Sequence, residues 1–394
     1  MIYIVSMGPG SDELIAPLAL KRINEASEVY CAERYARFVP EEKMRPITPI
    51  SRALEGISRA KANGTDAAVL VSGDAGLYSM LETIKRVIGA DGISVVPGIS
   101  SLSAFCAELN ISWQDARILS GHGRELSQAG LCHCARTNKK TLVLLDGERN
   151  PRRVRDALAR GGLDGVKLYI GERVSCPDMR VGLFEDREYD PLSVACIIND
   201  APDTEAAIIG IPDEEFIRAK TPMTKRAIRM QVINELRLRP GSVVWDIGSG
   251  TGSVSVECAR QCPEGAVYAI ERDEEAFKLT ELNAERFHAL NLTAIKGSAP
   301  EALSGLPAPT HVFLGGSGGR TKEIFALLEG LRVPIRICAT AVTVETESEL
   351  LQIMSGYKRF TANQIAVNSI EKLGAYHMRR AGNPVTVFAA EIGG

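Results

Sequence analysis

Val243-Val244-Trp245-Asp246-Ile247-Gly248-Ser249-Gly250-Thr251-Gly252 is the stretch whose reading decides the fold of the half of the chain around it. Its first five residues read as a buried strand, and the glycines that follow let the backbone turn sharply and approach a ligand with no Cβ in the way. A helical run at 253–260 comes next, so the unit is strand, glycine loop, helix. The spacing is G-x-G-x-G. It is not the G-x-G-x-x-G of dinucleotide folds, and no Lys-Ser/Thr follows to make a P-loop, so a pyrophosphate ligand is disfavoured. A second strand at 266–270 delivers Glu271 to the carboxyl edge of the sheet, where its carboxylate can accept both hydroxyls of a ribose. A third strand at 292–295 ends in Lys296-Gly297-Ser298-Ala299, and the small Ser298 and Ala299 could flank an adenine ring.

Loop, acid and small-residue turn therefore suit an adenosine without a pyrophosphate, and S-adenosylmethionine answers to that description. A nicotinamide oxidoreductase is the alternative, and it requires a phosphate loop that the sequence does not spell. Further strands are expected at 311–314, 335–340, 361–367 and 385–390, the last pair antiparallel at the edge with 375–384 as their turn. A helix at 224–238 precedes the loop, with Thr224 as a plausible N-cap.

The first half has a similar rhythm. A strand at 2–7 stops at Gly8-Pro9-Gly10, and a helical pattern covers 13–26. A strand at 67–72 breaks at Gly73-Asp74-Ala75-Gly76, and one at 93–96 breaks at Pro97-Gly98 before the helical stretch 101–109. Apolar runs at 141–145, 166–170 and 193–198 follow. Strands that end in Gly or Pro turns and lead into helices indicate an open, mostly parallel α/β sheet with ligands at the carboxyl ends of its strands. The pattern loosens around 199–222, so the expected domains are 1–205 and 206–394.

Length and composition agree. A chain of 394 residues, 45% hydrophobic and 24% charged, is sized for two globular domains. A net charge of −3 supplies no basic stripe, so nucleic acid is not expected as a partner. No apolar run reaches the roughly 20 residues that span a bilayer, and the N-terminus lacks a signal-peptide pattern, so a cytoplasmic location is expected. The nine cysteines lack regular spacing and read as reduced thiols. Cys132-His133-Cys134 has no second Cys/His pair beside it, and no metal is expected.

The motifs also carry a family likeness. Residues 210–394 resemble the decarboxylating precorrin methyltransferase domain of cobalamin biosynthesis, through Gly210-Ile211-Pro212-Asp213, Met223-Thr224-Lys225, the segment Asp246 to Gly252, Ala269-Ile270-Glu271-Arg272 and Leu314-Gly315-Gly316-Ser317-Gly318-Gly319. Residues 1 to about 205 resemble the tetrapyrrole (corrin/porphyrin) methylase family, through Met7-Gly8-Pro9-Gly10, Ser72-Gly73-Asp74-Ala75-Gly76, Val96-Pro97-Gly98-Ile99-Ser100-Ser101 and Ser120-Gly121-His122-Gly123-Arg124. Ala75 stands where many tetrapyrrole methylases have proline, and Ser249 where relatives of the second half often have cysteine. The resemblance implies a tetrapyrrole-methylase α/β domain followed by a Rossmann-like class I methyltransferase domain. It also implies one S-adenosylmethionine per domain and a self-associating chain.

The implied activity is methylation of a corrin precursor, with or without cobalt, at C5 by the first half and at C15 by the second, with loss of carbon dioxide from the C12 acetate. The cofactor residues carried over are Gly8, Pro9, Gly10, Gly73, Asp74, Gly76, Pro97 and Ser101, then Thr224, Asp246, Gly248, Ser249, Gly250, Thr251, Gly252, Glu271, Ser298 and Ala299. Asp74 reads equally as a helix cap. Arginine forks are the natural partners of a polycarboxylate, and Arg34, Arg124, Arg149, Arg173 and Arg320 lie beside the expected clefts, with Gly315, Gly316 and Ser317. His122, Thr343 and Glu345 are the candidates for proton handling.

Overall fold

The computed structural model describes residues 1–121, 126–147, 150–203, 205 and 208–393. Up to residue 202 the chain runs β1 (Ile2–Ser6), α1 (Pro17–Glu25), β2 (Glu28–Cys31), β3 (Met44–Pro46), α2 (Ile50–Ala62), β4 (Ala67–Val71), α3 (Leu81–Ile88), β5 (Ile93–Val96), α4 (Ser101–Glu108), β6 (Arg117–Ser120), α5 (Gln128–Thr137), β7 (Lys140–Leu144), α6 (Pro151–Arg160), β8 (Lys167–Glu172), β9 (Arg180–Leu183) and β10 (Ser193–Ile198). The remainder runs α7 (Arg226–Leu236), β11 (Val243–Ile247), α8 (Ser253–Gln261), β12 (Ala266–Glu271), α9 (Glu274–Arg286), β13 (Leu292–Lys296), β14 (His311–Leu314), α10 (Thr321–Gly330), β15 (Ile335–Ala341), α11 (Val344–Met354), β16 (Lys358–Ile365), β17 (Asn368–Leu373), β18 (Tyr376–Ala381) and β19 (Val385–Ile392). One compact unit comprises Met1–Leu126, Asn138–Asp156 and Gly165–Pro202; the other comprises Ser127–Thr137, Ala157–Asp164 and Asp203–Gly394.

In the first unit, five parallel strands lie in the order β3-β2-β4-β1-β5. The central β4, Ala-Ala-Val-Leu-Val, is buried throughout, as a parallel strand covered on both faces requires. Ile2, Ile4 and Val69 pack against Ile57 of α2 and Ile84 of α3, while Val5, Leu70 and Val96 pack against Ala19 and Ile23 of α1. A second sheet, β6-β7-β10-β8-β9, is mixed. Its one parallel pairing is β6 with β7, and β10 is antiparallel to both β7 and β8. The parallel expectation thus holds for one of two sheets, because short apolar runs do not encode strand direction. The helix expected over 13–26 is divided into a 3-10 turn at Asp12–Leu14 and α1 beginning at Pro17, since the proline ring fixes an N-terminal position and breaks any helix running through it.

The second unit is one seven-stranded sheet in the order β13-β12-β11-β14-β15-β19-β16, parallel except for β19, which pairs antiparallel with β15 and β16. Along β11 the side chains alternate between faces. Trp245 and Ile247 join the core under α10 and α11, and Val244 joins the core under α7 and α8. Asp246 shares the Val244 face and meets Ser255 of α8. The segment 375–384 is more than a turn. Tyr376–Ala381 forms β18, which pairs with β17 in a hairpin inserted between β16 and β19. All side chains of both strands are exposed, so no buried face left an alternation to read. Among the described residues, no helix is long and apolar enough to cross a membrane.

Candidate active site

The turns after β11, β12 and β14 converge at the carboxyl edge of the second sheet. Each glycine of the loop is opposed by a different element. A Cβ on Gly248 (φ +76°) would lie 2.7 Å from the carbonyl oxygen of Gly316, one on Gly250 (φ +59°) 3.3 Å from that of Pro222, and one on Gly252 (φ +74°) 3.0 Å from Thr280. All three φ values favour glycine. The loop is thus wedged between the turn after β14, the segment before α7, and α9, and side chains there would push the walls apart. Backbone amides of Gly248 and Ser249 donate to the Ile270 carbonyl at 2.9 and 3.1 Å.

Glu271 ends β12 beside this loop. One carboxylate oxygen accepts from Gly250 N and the other from Asp273 N, both at 2.9 Å, which fixes the carboxylate and leaves further lone pairs for hydroxyl donors. Two cavities share Gly248, Glu271 and Arg272. The smaller, about 220 Å³, is enclosed by Gly297, Ser298 and Ala299 on one side and Gly316, Ser317 and Gly318 on the other. The larger, about 1390 Å³, opens past Met223, Thr224, Gly315 and Thr340 to the inserted hairpin. Asp246 lies beneath the loop, fully buried. Its Oδ2 accepts from the Ser255 hydroxyl, while its Oδ1 has no partner among the described residues. Burial, and then the nearby Glu271 charge, push its carboxyl up to about 7 against the pull of the Ser255 hydrogen bond.

The segment that brings Met223 and Thr224 to the loop is held by a buried ionic network. Arg229 on α7 is fully buried and donates Nε to Glu257 of α8 at 3.0 Å, and Nη1 to Asp213 at 3.1 Å and to the Thr224 carbonyl at 2.7 Å. Its guanidinium also stacks over Phe216. Glu257 in turn accepts from the amides of Gly210 and Ile211 at 3.0 and 2.8 Å. A charge pair this deep is tolerable only because its donors and acceptors are met. This network was not foreseen; its sequence signal is a charged residue within each of two otherwise apolar helix faces, Ile228-Arg229-Val232 and Val256-Glu257-Cys258.

In the first unit the turns after β1, β4 and β5 form a second junction. Gly8 and Gly73 exchange backbone hydrogen bonds at 3.2 and 2.8 Å. Ser6 Oγ accepts from Ala75 N at 2.9 Å. Asp74 Oδ1 accepts from Gly76 N at 2.7 Å and Oδ2 from Gly98 N at 2.9 Å. A Cβ on Gly98 would sit 2.5 Å from the Ser6 Cβ. Gly8, Pro9, Gly10, Gly73, Asp74, Gly76 and Pro97 thus line one strand-end junction, with Ser101 opening α4 behind it. Asp74 does not cap the next helix; α3 starts at Leu81 after Met80, with no side-chain cap. Asp74 is instead a strut between two loops, a role set by Gly98, 24 residues away.

Other expected residues fall elsewhere. Thr224 is not the N-cap of α7. That position belongs to Lys225, and Asp213 accepts from the Arg226 amide at 3.0 Å in place of a cap; Thr224 lines the larger cavity. Thr343 caps α11, accepting from Thr346 N at 3.3 Å, and Glu345 is exposed in the first turn of that helix, next to the cavity rim at Thr340 and Val342. Arg320 borders the smaller cavity with its guanidinium held by Glu301 and Glu323. Arg34 is exposed on the 3-10 turn after β2, stacked on Tyr35. Arg173 pairs with Asp178 at 2.7 Å. His122, Arg124 and Arg149 lie outside the described residues.

Two family models match the chain. Residues 215–391 match the family model of the precorrin methyltransferase domain, and residues 1–185 match that of the tetrapyrrole (corrin/porphyrin) methylases. Over 368 residues the chain is 30% identical to a precorrin-6Y C(5,15)-methyltransferase [decarboxylating] of Sinorhizobium sp, covering 89% of this chain and 87% of that relative. Over 186 residues it is 40% identical to a probable cobalt-precorrin-6B C(15)-methyltransferase (decarboxylating) of Pyrobaculum calidifontis, covering 46% of this chain and 95% of the relative. A solved precorrin-6Y C5,15-methyltransferase from Geobacter metallireducens is 34% identical, with a TM-score of 0.43, over 46% of this chain and 98% of that one.

Proposed function

The chain belongs to the decarboxylating precorrin-6Y C5,15-methyltransferase family, and on that premise we propose that it methylates a precorrin at C5 and C15 and removes the C12 acetate carboxyl, with one S-adenosylmethionine site in each domain. C5 methylation is assigned to residues 1–205 and C15 methylation with decarboxylation to residues 206–394. The observation that carries the reading is the second-unit junction: three glycines closed against three separate elements, with Glu271 held by two amides where two cavities meet. That cradle suits an adenosyl group. Glu271 would take the ribose hydroxyls, and Ser298, Ala299 and Gly316 would enclose the adenine in the smaller cavity. The loop and Thr224 would hold the amino-acid end, with Asp246 buried beneath the loop.

When bound, the cofactor supplies an electrophilic methyl group on a sulfonium. The electron-rich macrocycle is the nucleophile, so this chain's residues need mainly to position the two reactants in line and exclude water. In the decarboxylation the bond from the acetate methylene to its carboxyl carbon breaks, carbon dioxide leaves, the conjugated ring takes up the electron pair, and a proton from solvent then returns to the former methylene carbon to leave a methyl group. In the first unit, the Gly8–Gly73 pair and the Asp74 strut hold three turns as one rigid rim for the other cofactor.

The test is incubation of the full chain with S-adenosylmethionine carrying a carbon-13 methyl group and precorrin-6Y. Mass spectrometry should show two methyl groups gained and one carbon dioxide lost, with labelled carbons at C5 and C15. Cofactor binding without methyl gain on any tetrapyrrole would overturn the reading.

A further inference from the structure

The larger cavity of the second unit, about 1390 Å³, exceeds the roughly 300–1,000 Å³ of a site built for one small ligand, and its charges are unevenly committed. The acidic side chains on its wall are engaged: Asp213 by Arg229, Glu271 by two amides, Asp273 by the Ala276 amide that it caps, and Glu371 by Arg380 at 3.4 Å. Arg218, Arg226 and Arg272 line the same wall, and none of them makes an ion pair with any described residue. A cofactor with one amino-acid carboxylate accounts for one such cation. The others call for a ligand with several carboxylates.

The hairpin supplies the complementary part. Directly paired residues and alternate residues along a strand share a face. Ser369, Glu371 and Leu373 of β17 therefore share one face with Arg380, Met378 and Tyr376 of β18. Ser369, Glu371 and Arg380, at the base of the hairpin, line the cavity. The outer half of that same face is apolar and unburied, with Leu373 64%, Tyr376 77% and Met378 54% exposed. Val342, 61% exposed, borders the cavity from the end of β15. The opposite face of the hairpin carries Arg379, Lys372 and His377 around Ile370. An apolar platform continuous with a cavity rich in uncommitted arginines matches a flat macrocycle edged by carboxylates.

We propose, resting on the function assigned above, that hairpin β17–β18 is the platform on which the tetrapyrrole lies for C15 methylation. Leu373, Tyr376 and Met378 contact its ring face, while Arg226 and Arg218 take its peripheral carboxylates. The test compares full-length wild type with Arg226→Gln and with the double variant Tyr376→Ser/Met378→Ser, by tetrapyrrole absorbance titration, S-adenosylmethionine calorimetry, turnover at C5 and C15, and sedimentation. Each variant should raise the tetrapyrrole Kd and the KM for C15 methylation about 10-fold, the scale of one lost charge-assisted hydrogen bond or apolar contact set. The C15 kcat, C5 turnover and oligomeric mass should stay unchanged, and Tyr376→Ser/Met378→Ser should bind S-adenosylmethionine as wild type does. Unchanged tetrapyrrole affinity in the double variant overturns the proposal. If that unchanged affinity accompanies a smaller sedimenting mass, the hairpin is a contact between copies of the chain. If wild type binds tetrapyrrole without methylating it and the variants lose that binding, the platform stands and the assigned reaction falls.

Discussion

The two strand-end junctions use the same parts, glycine turns and one acidic side chain, to opposite ends. In the first unit the acid is a strut, with both Asp74 oxygens accepting amides from two different loops and drawing the turns after β4 and β5 together. In the second, Glu271 is itself positioned by two amides and faces two cavities. The glycines differ in the same sense. Gly8 and Gly73 bond to each other, whereas Gly248, Gly250 and Gly252 each press against a separate element. A glycine turn with an acid nearby thus predicts a strand end without saying whether the acid builds the rim or serves the ligand. Neighbours distant in sequence decide that.

Changes at both junctions sharpen the contrast. The largest expected effect is on the second, whose front wall depends on the buried Arg229–Glu257 pair. Arg229→Ala should cost about 3–5 kcal/mol, because Glu257 is left buried and unpaired; urea unfolding would measure it, and loss of C15 methylation at retained C5 methylation would localise it. Next come the two acids. Asp74→Ala should destabilise the chain by about 1–2 kcal/mol by stranding the Gly76 and Gly98 amides. Glu271→Gln keeps one of the two acceptors, so it should cost at most about 1 kcal/mol of stability while weakening cofactor binding at the second site about 10-fold. Equal stability losses from both would erase the distinction between strut and ligand group.

A pH slope probes the second junction from beneath its loop. The Asp246 carboxyl is pushed up to about 7 in the folded chain by burial, against about 4 when free, so the folded state holds the proton more tightly. The associated stability is fully present below about pH 4 and is lost as pH rises through about 7, at up to about 1.4 kcal/mol per pH unit. Asp246→Asn, which does not titrate, should flatten that part of the profile. Identical slopes for wild type and variant between pH 5 and 7 would contradict the burial account.

What the sequence disclosed was the local part. Glycine turns after apolar runs, and Glu271 one strand along from the loop, are written in consecutive residues, and both junctions could be placed from them. The network of Arg229, Glu257 and Asp213 was not legible, since a charged residue on a helix reads as solvated until the opposing helix is known. Hairpin β17–β18 was missed because no side chain in it is buried. The chain next to Thr224 and Asp74 suggests caps, and the family likeness suggests cofactor contacts, while their surroundings come from Asp213 and Gly98. Arg320, a candidate carboxylate partner in the sequence, is held by Glu301 and Glu323; of the described arginines lining the larger cavity, Arg218, Arg226 and Arg272 make no ion pair with a described residue.

The central claim is two independent cofactor sites in one chain. It is tested most directly by calorimetric titration of S-adenosylhomocysteine into wild type, Gly98→Val and Gly250→Val, with circular dichroism to confirm folding. The side chain introduced by Gly98→Val would collide with Ser6, and the one introduced by Gly250→Val would sit on a left-handed backbone against Pro222, so each change acts at one junction. The account predicts two sites in wild type and one in each variant. A single site in wild type, or loss of both sites in either folded variant, would contradict it.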